Sequence, residues 1–569
     1  MIGADMLTRI ATALFLSLNV LLMGCAARTP AAGGTPQLIN VQLLGFNDFH
    51  GTLDPATGSN GRIAEVDAGG AEFFATHLAR LRAENPNTVI VSGGDNIGAS
   101  TMLSGMFHDE PTIEALGESG LQISTVGNHE FDEGWDELYR MQHGGCHPVD
   151  GCQDQTPFAG ARFQFLSANV LVDPARVDAT RLTRSGWKPA GRGPQTLFPS
   201  STVREVGGVK IGFIGLALTA TPTIVQPFNL QGITFLPEVE AGNQAAAALV
   251  AQGVKAIVVL IHEGGRPKVS DINGCDITGP IIDVATRLSS DIDVVVSGHS
   301  HSSYVCTIGG KLVTSAESLG RLITDIDLRI DRRTGDVVAK TARNVIVSRD
   351  VPKSPAITAL LEHYRPMFVT LGNRVVGRIT APLVRKANGA GESPLGNVIA
   401  DAMLEAAASP ANGGAVVSLW NSGGIRADLV GSAPSTNDTA RPVTYAQAFD
   451  VLPFGNRVVV RTVTGAVLKT MLETGVFQVS RGLSYTYDAG TGRRQQIDPA
   501  SLMVGGRVVD LTAPIRVVST DFIWNGGDNV VVPSSEPLDI GADIDLFIAH
   551  FTKHSPVAPG PQDRVTRKP

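Results

Sequence analysis

Along the first half of the chain, short runs rich in valine and isoleucine alternate with longer stretches whose apolar residues recur every three or four positions. The runs at 38–46, 88–94, 122–128, 163–170, 209–217, 256–265 and 293–300 read as strands, most of them closing on glycine or a polar turn. Between them, 69–85 ("GGAEFFATHLARLRAEN") and 242–254 ("GNQAAAALVAQGV") carry a helical period. Strands that are apolar throughout are covered on both faces, so the pattern predicts an α/β layered domain. In such a sheet a ligand site falls at the carboxyl ends of the strands, which is where the polar clusters of this half lie.

The alternation stops near 327–347, which reads as a hairpin, and 354–372 reads as one helix. A chain of 569 residues is too long for a single core. We divide it into a first domain over 38–350, a connector helix over 351–372, a second α/β domain over 373–555 and a loose, proline-rich tail over 556–569. The second domain opens with a helix at 393–409, followed by strands and glycine-rich turns.

Composition changes this picture at the N-terminus and in the cysteines. An apolar run from Ile10 to Met23 follows Arg9 and ends at Gly24-Cys25. It is short for a membrane span and reads as a bacterial lipoprotein signal over 1–25, with Cys25 acylated and 26–37 as a tether. The expected location is the cell envelope of an exported protein, periplasm or cell surface, held to the membrane only by that lipid. The other four cysteines are even in number, as structural disulfides require; Cys146 with Cys152, and Cys275 with Cys306, are the candidate pairs. The net charge of −8 leaves no global basic surface for a nucleic-acid polymer. A phosphate-bearing substrate must then be met by local cations, either metals or placed arginines. The sequence carries no signature of an oligomeric state.

Five polar clusters stand at the predicted strand ends: "NDFHG" with Asp48 and His50, "GGDN" with Asp95, "GNHEFD" with Asn128, His129 and Asp132, "IHEGG" with His262, and "SGHSH" with His299 and His301. So many charged and polar groups converging without a partner would be costly, and metal ions are the economical explanation. Imidazole and carboxylate without thiolate suit zinc, manganese or iron rather than calcium. The ligand count exceeds one tetrahedral shell, which points to two ions, and Asp95, central among the clusters, suits a bridge.

The same residues spell D-x-H, G-D, G-N-H-[ED], H and G-H-x-H in order, and over about 40–330 the chain is similar to the calcineurin-like metallophosphoesterases. The resemblance implies two divalent ions, zinc or manganese. Asp48, His50 and His301 would ligate one, Asn128, His262 and His299 the other, and Asp95 both. It leaves His129 and Asp132 as a catalytic pair. Two ions would lower the pKa of a water between them for attack on phosphorus, and a protonated His129 oriented by Asp132 would stabilise the leaving oxygen. Glu130 and Phe131 are expected to be spacers, Glu130 solvated or structural.

In the second half, "NSGGIRADL", "LPFGN", "FIWNGGDN" and "SPLGNVIADAML" are similar to the substrate domain of the 5'-nucleotidase family. Arg426 follows a flexible turn and can meet phosphate with its planar fork. Phe454 and Phe522 lie in polar loops and can sandwich a nucleobase. Asn456 and Asp528 are placed to contact base or ribose, and Asn421 phosphate or ribose. One departure stands out. The family carries arginine shortly before the position of Leu395-Gly396, whereas here the nearest cations, Arg385 and Lys386, are displaced toward the N-terminus. The expected activity is phosphate release from nucleoside 5'-monophosphates, with nucleotide sugars as further candidates. The rivals are a 2',3'-cyclic phosphodiesterase/3'-nucleotidase and a non-catalytic nucleotide-binding lipoprotein.

Overall fold

The computed structural model describes residues 37–434, 439–489, 495–531, 533 and 535–568. The expected signal segment, the lipidation residue Cys25 and tether residues 26–36 lie outside the described residues. Among the described residues no helix is long and apolar enough to cross a membrane.

The first half folds into two six-stranded sheets stacked face to face. One runs Val337–Ile346, Leu322–Asp331, Leu38–Phe46, Thr88–Ser92, Ile123–Thr125, Gln164–Leu166, and the other Ser303–Ile308, Lys311–Ala316, Val294–Ser297, Ala256–Ile261, Val209–Leu216, Ser201–Val206. The inner strands of both are parallel, as uniformly apolar strands demand. Alternate side chains of Leu38–Phe46 serve two cores. Val41 and Leu43 join the layer between the sheets, while Leu44 and Phe46 pack with Phe74 and Leu78 of the helix Ala71–Glu84. The helices Glu238–Ala251 and Ile281–Arg287 cover the outer face of the second sheet. The parallel strands therefore end at one common edge.

The 163–170 run does not form one strand. Gln164–Leu166 stays in the first sheet, and the chain then crosses to a small three-stranded sheet through Val170–Val172. Asn169 makes the crossing: its side chain accepts from Ala217 N (2.8 Å) and donates to the carbonyls of Ala217 (2.7 Å) and Leu236 (3.1 Å).

The helix Pro355–Gly372 buries Ile357, Leu361 and Tyr364 in the first half's core. Beyond it, a five-stranded sheet runs Phe477–Val479, Val417–Asn421, Pro514–Thr520, Arg457–Thr464, Leu538–Ala542. The helices Pro394–Ala407 and Asp543–His554 cover one face, and Gly465–Thr474 the other. The tail is not loose. Val565–Arg567 adds a parallel strand to Leu483–Ala489, and buried Glu392 accepts from the Arg564 and Val565 amides at 2.9 and 2.8 Å. Proline content suggested a free tail, but an unpaired acceptor and an open strand edge in the domain hold it. Cys146 is bonded to Cys152, and Cys275 to Cys306.

Gly215 of the second sheet abuts Leu166 of the first, and a Cβ there would lie 2.4–2.6 Å from Leu166 Cβ, carbonyl oxygen and carbonyl carbon. Gly215→Ala is predicted to destabilise the protein by about 1–3 kcal/mol, read as a lower urea midpoint; an unchanged midpoint would contradict this packing.

Candidate active site

The strand-end loops converge with their backbones under strain. Asp48, His50, Asp95, His299 and His301 all have φ between 48° and 67°, a left-handed conformation that costs a non-glycine residue roughly 1–3 kcal/mol and clusters at functional sites. Cross-loop hydrogen bonds hold two of these loops in register: Asp48 N to Gly94 O (2.9 Å), His50 N to Asp95 O (3.0 Å) and Gly51 N to Asn96 O (3.0 Å).

The side chains thus presented meet in a buried cluster. His50 Nδ1 lies 2.9 Å from the Gly98 carbonyl and His262 Nδ1 2.9 Å from that of Gly93. A carbonyl only accepts, so both Nδ1 atoms carry the proton and both Nε2 atoms face inward. His50 Nε2 is 3.0 Å from His301 Nε2 and 3.8 Å from both Asp48 Oδ1 and Asp95 Oδ2. His262 Nε2 is 2.9 Å from Asp95 Oδ2 and 4.0 Å from Asp48 Oδ1, without hydrogen-bond alignment to either. His301 Nε2 is 3.3 Å from Asp48 Oδ1, and His299 Nδ1 is 3.1 Å from Asn128 Oδ1. Basic nitrogens and carboxylate oxygens therefore face one another with nothing positive between them except whatever protons they share. A divalent cation satisfies this donor set.

The electrostatics agree. Burial, with the charge of Arg426, holds His50 well below its ordinary pKa. Burial, with the charge of His262, lowers His299 to about 3. Both are neutral at pH 7, as metal ligands must be. Burial alone would lower His262, but the Asp95 charge raises it to about 10: that pair holds a proton where a cation could sit. Asp95 stands between the two groups of ligands, with His262 on one side and His50 on the other.

The "GNHEFD" loop divides by direction. Asn128 turns to His299. His129 stands at the edge of the cluster, its ring centroid 5.0 Å from that of His50 and one ligand atom within 4.8 Å of those of His50 and Asp95; its Nδ1 is 2.7 Å from Asp132 Oδ2 and its backbone N–H donates to Asp95 Oδ1 at 2.8 Å. Burial works to lower the His129 imidazole, but the charges of Asp132 and Asp95 raise it above its ordinary value. Of the two expectations for Glu130, the structural one holds, and it is neither solvated nor a mere spacer. It is 3% exposed and accepts from the backbone N–H groups of Gly127 (2.5 Å), Asp95 (2.9 Å) and Asn96 (2.8 Å), clasping the Asp95 loop to the Asn128 loop. Its neighbours in sequence hide this role, because two of the three donors, the Asp95 and Asn96 amides, come from a strand end 35 and 34 residues earlier.

A cleft of about 990 Å³ opens beside the cluster, lined from the first half by Asn128, His129, Asp132, His299 and His301, and from the second by Asn421, Arg426, Phe454, Asn456, Phe522 and Asp528. Phe454 stacks on His129 across the junction (centroids 5.8 Å apart, 22°) and lies under the Arg426 guanidinium (5.8 Å). Burial raises the Asp528 carboxyl above its ordinary value, offset in part by the neighbouring Asn421 amide. Asn456 Nδ2 is 3.3 Å from Asp543 Oδ2. Arg385 also lines the cleft despite its displacement in sequence. Its Nη1 donates to the carbonyls of Ile425 (3.2 Å) and Arg426 (3.1 Å), and the intervening residues turn back on themselves through Asn388 N to Glu392 O at 2.7 Å. The halves are tied beside the cleft by Ser59 Oγ to Asp428 Oδ2 (2.8 Å), Asn60 Nδ2 to Arg426 O (3.0 Å) and Met102 N to Asp450 Oδ1 (3.0 Å).

A buried His/Asp cluster at the strand ends of a two-sheet domain, facing an arginine- and phenylalanine-lined wall from a second domain, defines a two-domain metallophosphoesterase. Residues 41–303 match the family model for calcineurin-like phosphoesterases, and residues 375–534 that for the 5'-nucleotidase C-terminal domain; the chain belongs to the 5'-nucleotidase family. It is 31% identical over 466 residues to the endonuclease YhcR of Bacillus subtilis (strain 168), across 80% of this chain and 35% of that one. It is 29% identical over 538 residues to the cell wall protein Lmo0130 of Listeria monocytogenes serovar 1/2a, across 88% and 65%. The chain thus spans less than two thirds of the length of either relative. Among solved structures, that of the 5'-nucleotidase precursor from Thermus thermophilus is similar with a TM-score of 0.74 at 26% identity, covering 93% of this chain and 100% of that one.

Glu130→Ala would orphan three buried backbone N–H groups. The predicted cost is at least about 2 kcal/mol in metal-free protein, with Glu130→Gln losing less. Equal urea midpoints for Glu130→Ala and wild type would contradict the clasp.

Proposed function

We propose that the protein is an exported, dimetal phosphohydrolase that releases phosphate from nucleoside 5'-monophosphates, with nucleotide sugars as further candidate substrates. The carrying observation is the shared cleft, in which His129 of the first half touches Phe454 beneath Arg426 of the second. Asp48, His50 and His301 would hold one ion, Asn128, His262 and His299 the other, and Asp95 would contact both. When bound, a zinc or manganese pair supplies a nucleophile from water near neutral pH and offsets phosphoryl charge.

The chain's own groups supply the rest. Arg426 faces the phosphate as a cation: burial and the charge of Arg385 lower its pKa only to about 10. Phe454 and Phe522 offer their faces to the base, with Asn456, Asp528 and Asn421 for its polar edges and the ribose. His129, held by Asp132 and raised by its charge, carries a proton at Nε2 toward the leaving oxygen. A pure nucleotide binder has no need of that pair. The two disulfides support an oxidising compartment, in line with export and lipidation at Cys25. A lipid anchor predicts an acylated N-terminal peptide by mass spectrometry and release of the Cys25→Ala protein from membranes.

Phosphate release from AMP, 3'-AMP and 2',3'-cyclic AMP by protein reconstituted with zinc or manganese tests the reading, and AMP should lead. The cyclic substrate in the lead would favour the phosphodiesterase, and no turnover at all would favour the binder. His129→Ala is predicted to lower kcat by about 10²–10⁴ with metal content unchanged; loss of both metals would refute its role.

The pH dependence has a definite sign. An acid whose pKa is raised is active below that pKa and loses its proton as pH rises through it, so His129 sets the alkaline limb of kcat/KM. Asp132→Asn removes the leading charge that raises it, and the limb should move to lower pH; an unmoved limb would assign it to another group.

A further inference from the structure

Outside the lining of the cleft, the last turn of Pro394–Ala407 meets the last turn of Asp543–His554, at Glu405, His550 and His554. The two histidines are four residues apart on one helix, so their rings share a face, with centroids 4.6 Å apart. His550 Nδ1 is 2.7 Å from Glu405 Oε2, and His554 Nε2 is 2.9 Å from both Glu405 oxygens. One ligand atom from each of the three lies within 4.8 Å of the others. Lys553 Nζ also contacts Glu405 Oε1, and Asp401, which faces His550, is paired with Arg564 and Arg481.

We propose that Glu405, His550 and His554 form a further divalent-cation site, of zinc class, that staples these two helices together. Two imidazoles and a carboxylate are a zinc ligand set, and one that leaves a fourth position for solvent. Donors about 2.0–2.2 Å from a tetrahedral ion stand about 3.3–3.6 Å apart, so the present contacts need open by less than about 1 Å. Sites built on helices hold such geometry better than loops do. The site is within reach of solvent, with His550 9%, Glu405 29% and His554 43% exposed. Lys553 is its competitor, since its ammonium occupies the carboxylate an ion would take. The chain would then bind one more ion than its catalytic cluster holds.

The test is the zinc content of the full chain after equilibration with zinc and gel filtration. His550→Ala/His554→Ala should lower it by one ion per chain, whatever the catalytic cluster retains, so failure here is distinguishable from failure at that cluster. His554→Gln, at a position half in solvent, should lose the same ion without disturbing packing. Lys553→Ala should bind that ion about tenfold more tightly, because a like charge at contact distance is gone. Zinc content unchanged by both histidine variants, or weakened in Lys553→Ala, would overturn the site.

Discussion

Keeping Asp95 ionised while it is buried is the constraint on which the rest of the first domain turns. Its carboxyl is 1% exposed, and burial alone would raise its pKa. The charges of His262 and His129 instead hold it well below the usual carboxylate range. One oxygen accepts from the His129 backbone and the other faces His262 and His50. Every neighbouring loop is arranged around this charge: Glu130 fixes the Asp95 backbone, Gly93 and Gly98 fix the histidine tautomers, and five residues accept left-handed backbone to bring their side chains in. The fold supplies the rigid part, two sheets whose parallel strands end together, and the loops spend stability on convergence.

The second domain completes what this cluster lacks. A pair of divalent cations can meet a phosphate but cannot tell one ester from another. The cation and aromatic faces that could do so, Arg426, Phe454 and Phe522, come from the second domain, and Phe454 reaches across to His129. Asp428 couples the two walls: it accepts from the Arg385 backbone on its own domain and from Ser59 on the other. The cleft is therefore sensitive to the relative position of the domains.

Much of this was legible from residue order alone, because strand ends and ligands coincide: each of the five clusters follows an apolar run, and period and chemistry point to the same place. What was hidden has one physical character, contact between residues distant in sequence. Glu130 reads as a spacer because its partners, the Asp95 and Asn96 amides, lie on another strand end. Arg385 reads as displaced because the turn at Asn388–Glu392 cannot be seen in composition. Asn169 breaks an apparently continuous strand through bonds to Ala217 and Leu236, and the proline-rich tail is ordered by Glu392. Local pattern reports what a segment prefers, and tertiary hydrogen bonds decide where it goes.

In the proposed function one nucleotide spans both domains, its phosphate at the His/Asp cluster and its base between the phenylalanines. The most direct measurement is a crystal structure with zinc and a non-hydrolysable nucleoside 5'-phosphate analogue. Metal density is expected among Asp48, His50, Asp95, Asn128, His262, His299 and His301, with phosphate within hydrogen-bonding reach of His129 and Arg426 and the base stacked against Phe454 and Phe522. A nucleotide held by one domain alone, or metals outside that cluster, would contradict it.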